Sequence, residues 1–147
     1  MLFKTTKNVT DKLLMEILKE IVSGAGNARK YVCGDDVWIT NGYVAIRYPK
    51  STFPFRLELL KDFDFSSTLD SLEQGGYEIV KEEFRKVNSN STIVKLCGHS
   101  VETHLNLDYM KMFPGCVFWA KDSVGPVKVC TPFEMLIGII LPVRCKW

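Results

Sequence analysis

Cys97, Gly98, His99 and His104 bring the two histidines of this 147-residue chain close to one of its five cysteines. The pattern C-x-H-x4-H supplies three donors, yet it matches no established zinc spacing. If residues 100–106 form a strand, His104 shares a face with Glu102 while His99 sits in the turn before it, so the three donors do not converge. Cys97 as a nucleophile with His99 as its base would need two side chains to meet across a glycine turn. Asp35-Asp36 belongs to a turn and Glu82-Glu83 to a helix surface, and neither pair is spaced as an acid/base couple. G-x-G-x-x-G and Walker-type glycine loops are both absent. Cys33, Cys116, Cys130 and Cys145 show no C-x-x-C spacing, and all five cysteines are expected as reduced thiols that behave as small hydrophobes. The expectation is a protein without catalytic residues, metal or cofactor, and a small Cys/His metal protein or enzyme is the weakest alternative.

Phosphate binding is the other chemistry within reach. Lys4, Lys7, Arg29, Lys30, Arg47 and Lys50 help to give the first fifty residues eight basic against five acidic side chains. That modest excess is a candidate DNA-facing patch. The whole chain carries 19 basic and 17 acidic residues, a net charge of +2, which excludes the strongly basic signature of a dedicated nucleic-acid binder. Residues 51–91 are acidic, with eight Asp or Glu against five Lys or Arg. The longest mainly apolar run, residues 135–143, is broken by Gly138 and Pro142 and is too short to cross a bilayer. The first seven residues lack the apolar core of a signal peptide, so a cytoplasmic protein without membrane contact is expected.

These residues need a scaffold, and 46% hydrophobic content with nine Phe, five Tyr and three Trp is enough for a sizeable core. One domain spanning 1–147 is expected. Leu13, Leu14, Ile17, Leu18, Ile21 and Val22 recur at helical spacing, with Thr10 as the N-cap and Gly24 as the stop. Asn41-Gly42 predicts a type I′ hairpin between residues 37–40 and 43–47. Tyr77, Val80, Phe84 and Val87 follow Gly75-Gly76 at i, i+3, i+7 and i+10, which predicts a second helix. Residues 92–97 and 100–106 predict a hairpin turning at Gly98-His99. A helix of two turns over residues 107–113 ends at Pro114-Gly115, and strands follow over 116–121, 127–131 and 135–144. The order is β-α-β-β, a middle insert, then β-β-α-β-β-β, an α+β chain.

Three places in that order resemble the DNA sliding clamps, the processivity factors of replicative polymerases, and above all one domain of the bacterial β clamp. Residues 11–21 look like the first helix of that fold. Val37-Trp38-Ile39-Thr40-Asn41-Gly42-Tyr43-Val44-Ala45-Ile46-Arg47 is similar to its "atDghrlai" hairpin. Asn106-Leu107-Asp108-Tyr109-Met110 resembles the "N-x-x-Y-L" opening of its second helix. Pro126-Val127-Lys128-Val129 and then Ile139-Ile140-Leu141-Pro142-Val143-Arg144 resemble its "P-v-x-i … v-v-M-P-m-R" close. Residues 51–99 have no counterpart.

The resemblance implies a clamp-like fold with two pseudo-repeated helix-on-antiparallel-sheet units in one domain. It also implies a non-enzymatic DNA-replication accessory, a processivity-type interaction module of the kind found in phage and mobile-element genomes. Its implied partners are duplex DNA and a polymerase or other replication proteins. A ring would need a homo-oligomer of about six copies arranged head to tail. Peptide capture, the second clamp activity, maps onto a partner groove at Met135, Leu141, Pro142, Val143 and Arg144, near Trp147. Asp11, Glu16 and Glu20 beside Lys12 and Lys19 make the face of the first helix unlike a phosphate stripe. That charge mixture favours the alternative of a partner-binding module with the same fold and no DNA contact.

Overall fold

The computed structural model describes the backbone of residues 2–23, 28–87 and 90–143 and, from Lys12 onward, their side chains. The chain is α+β, with three α-helices and ten strands among the described residues. It divides into two compact units, Met1–Asp64 and Phe65–Trp147. Their boundary falls inside the 51–99 segment that has no counterpart in the clamp pattern.

In the first unit a 22-residue helix, α1 (Leu2–Ser23), leads into a meander of β1 (Arg29–Cys33), β2 (Asp36–Thr40) and β3 (Val44–Pro49). The helix begins eight residues before the expected Thr10 cap, so the strand expected ahead of it is not formed among the described residues. Neither Pro nor Gly interrupts residues 2–23, and Leu2, Val9 and Leu13 extend the apolar register backward at helical spacing. The packed stripe is Leu14, Ile17, Leu18 and Ile21, each at most 6% exposed, while Leu13 and Val22 are half-buried. Burying four such side chains contributes about 1.5–3 kcal/mol each, which holds α1 against β2 and β3. Val37, Trp38, Ile39 and Thr40 are all buried, so both faces of β2 are covered and its apolar residues run on without alternating.

The β2–β3 hairpin forms as the sequence predicts, but its turn is displaced by one residue. Thr40 pairs with Ala45, and the Asn41 N–H donates to the Val44 carbonyl at 3.3 Å, making Gly42 and Tyr43 the central pair. Only Gly42 has positive φ, at 98°, so the turn is not type I′. The Asn41 side chain explains the shift: its Oδ1 accepts from the Tyr43 and Val44 N–H groups at 2.9 and 3.0 Å. The offset moves the pairing by two residues and leaves every side chain on its expected face. Two single 3-10 turns, Lys50–Thr52 and Leu57–Leu59, then lead to β4 (Lys61–Asp62), which pairs with β1 in parallel.

The second unit opens on α2 (Ser66–Leu72), a short helix the sequence did not signal. The predicted helix after Gly75-Gly76 is instead a ten-residue strand, β5 (Glu78–Val87). Of its supposed stripe, Val80 is buried, but Phe84 and Val87 are 41% and 79% exposed, so no helical face is buried there. The ladders decide the conformation. Residues 78–80 pair with β8 (Val117–Ala120), and 81–87 pair with β6 (Thr92–Cys97) around an irregularity between Glu82 and Phe84. The hairpin of β6 with β7 (Glu102–Asn106) turns at Gly98-His99 as expected.

Next comes α3 (Leu107–Met110), capped by the Asn106 side chain accepting from the Asp108 N–H at 2.8 Å. A meander of β8, β9 (Val127–Cys130) and β10 (Leu136–Ile140) follows, and the strand order in this unit is β10-β9-β8-β5-β6-β7. The sheet turns back on itself. The Val143 N–H donates to the His104 carbonyl at 2.8 Å, placing the segment after β10 against β7.

Candidate functional site

The basic residues expected to face phosphate are divided by the structure. Arg29 is exposed on β1, and Lys50 is exposed in its 3-10 turn. Arg47 is half-buried, with Nε 3.9 Å from an Asp36 carboxylate oxygen. Lys30 points inward with its side chain only 13% exposed; Nζ donates to the Leu60 carbonyl at 2.6 Å and lies 3.2 Å from Asp62 Oδ1. Its charge therefore ties β1 to β4. Lys4 and Lys7 lie on α1, and their side chains fall outside the described residues. The described solvent face of α1 carries Lys12, Glu16, Lys19 and Glu20, the mixture the sequence foresaw.

The expected partner groove does not close into one place. Met135 precedes β10 and Leu141 follows it, so the five residues of β10 hold them roughly 20 Å apart. Leu141 is 42% exposed, while Pro142 and Val143 are half-buried where the chain meets β7. Arg144 and Trp147 lie outside the described residues. Met135 belongs instead to the β9–β10 turn, where Phe133 is 78% exposed and Met135 43%. That turn closes through the Thr131 N–H donating to the Met135 carbonyl and the Glu134 N–H donating to the Thr131 carbonyl, both at 2.9 Å. Glu134 has φ 65°, the left-handed region where glycine is usual. An apolar tip on a strained turn is a feature that composition does not disclose, although Pro132-Phe133 between two apolar strands marks the place.

The Cys/His set is brought partly together, on terms that quench it. Across the β6–β7 ladder Cys97 pairs with Glu102 and Lys95 with His104, so these four side chains share a face. Lys95 Nζ lies 3.4 Å from Glu83 Oε1 and 3.3 Å from Glu102 Oε2, and 5.1 Å over the Phe84 ring. The Cys97 thiol donates to Glu83, which pushes the thiol pKa up and holds the Glu83 carboxyl below its usual range. A thiol held protonated is a poor nucleophile. Burial lowers the pKa of His104. Among the described residues no group of three or more His, Cys, Asp or Glu is placed to hold a metal ion. Cys33, Cys97, Cys116 and Cys130 are free thiols, and burial raises the Cys116 pKa to about 11.

His99 belongs to a different construction. Glu78, at the start of β5, accepts from the Ser100 and Val101 N–H groups at 2.7 and 3.0 Å with Oε1, and from the Ser100 hydroxyl at 3.1 Å with Oε2. The Ser100 N–H bond is the leading cause of a lowered Glu78 pKa. The arrangement latches the β6–β7 turn to β5. Gly98 leaves room for the latch, because a Cβ there would displace Glu78 Oε1 and lie 3.0 Å from the Ile79 carbonyl oxygen.

Neither a family model nor a curated protein nor a solved structure matches the chain. Among the described residues no helix is long and apolar enough to cross a membrane.

Proposed function

We propose that this chain is a clamp-like, non-catalytic interaction module that serves DNA replication. One observation carries the reading: a helix followed by an antiparallel three-strand meander occurs twice, as α1-β1-β2-β3 and as α3-β8-β9-β10. The shared order of elements supports the clamp resemblance of both ends, and Asn106 caps the second helix at the place of the "N-x-x-Y" motif, although α3 packs chiefly on β6 and β7 rather than on the meander that follows it. In this reading DNA contact falls to Lys4, Lys7, Arg29 and Lys50, with Arg47 secondary. Partner docking falls to the β9–β10 tip rather than to one groove along β10.

The test is duplex-DNA binding followed by fluorescence anisotropy across a salt series, alongside binding to the replicative polymerase of the same host. Weak duplex affinity that falls steeply with salt, and falls further in K4E/K7E, supports the DNA role. No binding at about 50 mM salt eliminates it. Failure to bind either DNA or polymerase overturns the whole reading.

A module that binds partners without touching DNA is the second reading. It is favoured by the engagement of Lys30 with Leu60 and Asp62 and by the mixed charge of α1. Polymerase binding without duplex affinity selects it.

A further inference from the structure

The β9–β10 turn holds a glutamate where glycine would fit without strain. The Thr131 N–H donates to the Met135 carbonyl and the Glu134 N–H to the Thr131 carbonyl, both at 2.9 Å, which is the bonding of a three-residue hairpin loop, Pro132-Phe133-Glu134. In such loops the last residue takes left-handed backbone and is ordinarily glycine. Glu134 stands there with φ 65°, the one non-glycine residue of positive φ among the described residues. Strain of this kind persists where the surroundings over-determine it, and it concentrates at points that meet a ligand. The base of this loop is firmly held: Thr131 is buried, its Oγ1 accepts from the Met135 N–H at 3.2 Å, and Pro132 fixes its own φ. Within the chain, what the loop presents goes unused. Residues 132–135 are all exposed, Phe133 to 78%. The Glu134 carboxylate has neither an ion pair nor a hydrogen bond among the described residues, in contrast to Glu78, Glu82, Glu83 and Glu102 of the same unit.

We infer that this turn is a preformed peg that enters an apolar pocket on a partner protein, with a lysine or arginine at the pocket rim. Phe133 is the anchor, because an exposed aromatic ring has the most apolar surface to bury. Glu134 meets the rim cation, and Met135 flanks the ring as an adaptable apolar contact. A loop whose base is already bonded loses little further entropy on docking, so its rigidity favours the bound state. The uncompensated carboxylate selects the occupant. An anionic lipid surface would repel it. A second copy of this chain is disfavoured on the same ground, since the groove of the first unit beside Tyr31 and Phe63 is lined by Asp62 and Asp64. The inference rests on the docking role proposed above for this tip, and it makes this chain the inserted side and the partner the receiving one.

Binding of the full chain to the replicative polymerase of the same host tests it, with F133A, E134Q and E134G compared against wild type. F133A should weaken binding at least about thirtyfold, and E134Q and E134G about fivefold each, while duplex-DNA affinity stays in place. E134Q removes the charge and keeps the strained backbone; E134G removes both. E134G is therefore expected to unfold at higher urea than wild type and yet to dock more weakly, a separation that misfolding cannot produce. Polymerase binding that F133A leaves intact overturns the inference and spares the docking role it rests on. Docking of E134Q and E134G at wild-type strength overturns it equally, because no cation then meets the carboxylate. A chain that binds duplex DNA but no polymerase overturns the inference alone, and a chain that binds neither removes the replication reading with it. Sedimentation with phosphatidylcholine vesicles, or self-association, that disappears in F133A also overturns it by naming a different occupant.

Discussion

The two helix-and-meander units reach the same order of elements by different physics. In the first, α1 is long and is held by packing, since Leu14, Ile17, Leu18 and Ile21 are buried. In the second, α3 is a single turn fixed by the Asn106 cap, with the buried Met112 and Phe113 just beyond it. Their turns differ too. The β2–β3 turn puts Gly42 at its positive-φ position, whereas the β9–β10 turn places Glu134 there beside the exposed Phe133. A helix too short to be stable by propensity can be secured by one capping side chain and its neighbours, and a turn can keep a strained residue where the flanking ladder dictates it.

The largest effect should come from breaking the packed helix. Leu18→Ala is expected to destabilise the protein by about 2–5 kcal/mol in urea unfolding followed by circular dichroism, since Leu18 is fully buried. A loss below about 1 kcal/mol would show that α1 is not held by its stripe. Breaking the capped helix should matter less: Asn106→Ala is expected to cost about 1 kcal/mol and Asn106→Asp little, and equal losses from both would remove the cap from the explanation.

The turns sharpen the contrast in the opposite direction. Glu134→Gly should stabilise the protein by roughly 1 kcal/mol in the same assay by relieving the left-handed backbone. A neutral result would show that the strain is absorbed elsewhere. The smallest effect is local. The Glu78 carboxyl is lowered from its ordinary value of 4.5, so its latch is fully present above that value and is lost as pH falls through the lower folded value. The protection of the Ser100 and Val101 amides against hydrogen exchange, taken relative to the intrinsic rate at each pH, should fall on acidification, and Glu78→Gln should flatten that response. Identical pH profiles in the two proteins would remove Glu78 from the latch.

The meanders were legible because their turn residues and β-branched runs are local signals: Gly34-Asp35, Asn41-Gly42 and Gly98-His99 all fall at turns of the structure. What the sequence misplaced depends on partners far along the chain. The Tyr77-to-Val87 spacing suits a helix, yet β6 and β8 claim that segment for a sheet. The Thr10 cap signal is overridden because nothing upstream stops the helix. Lys30 and Arg29 are adjacent and chemically similar in the sequence; the pleat of β1 sends them to opposite faces, and the segment around β4 supplies the Leu60 carbonyl and Asp62 carboxylate that engage Lys30. The convergence of Glu83, Lys95 and Glu102 likewise needs a three-strand register that no spacing rule supplies.

The inward position of Lys30 also makes it a natural chemical clock. An acylating reagent meets the exposed amines of Lys12, Lys19 and Lys50 at once, whereas the Lys30 amine becomes reactive only when β4 peels from β1 and releases the Leu60 carbonyl. The rate at which that one side chain is acylated therefore measures how often the outermost strand of the first unit lets go while everything else stays folded.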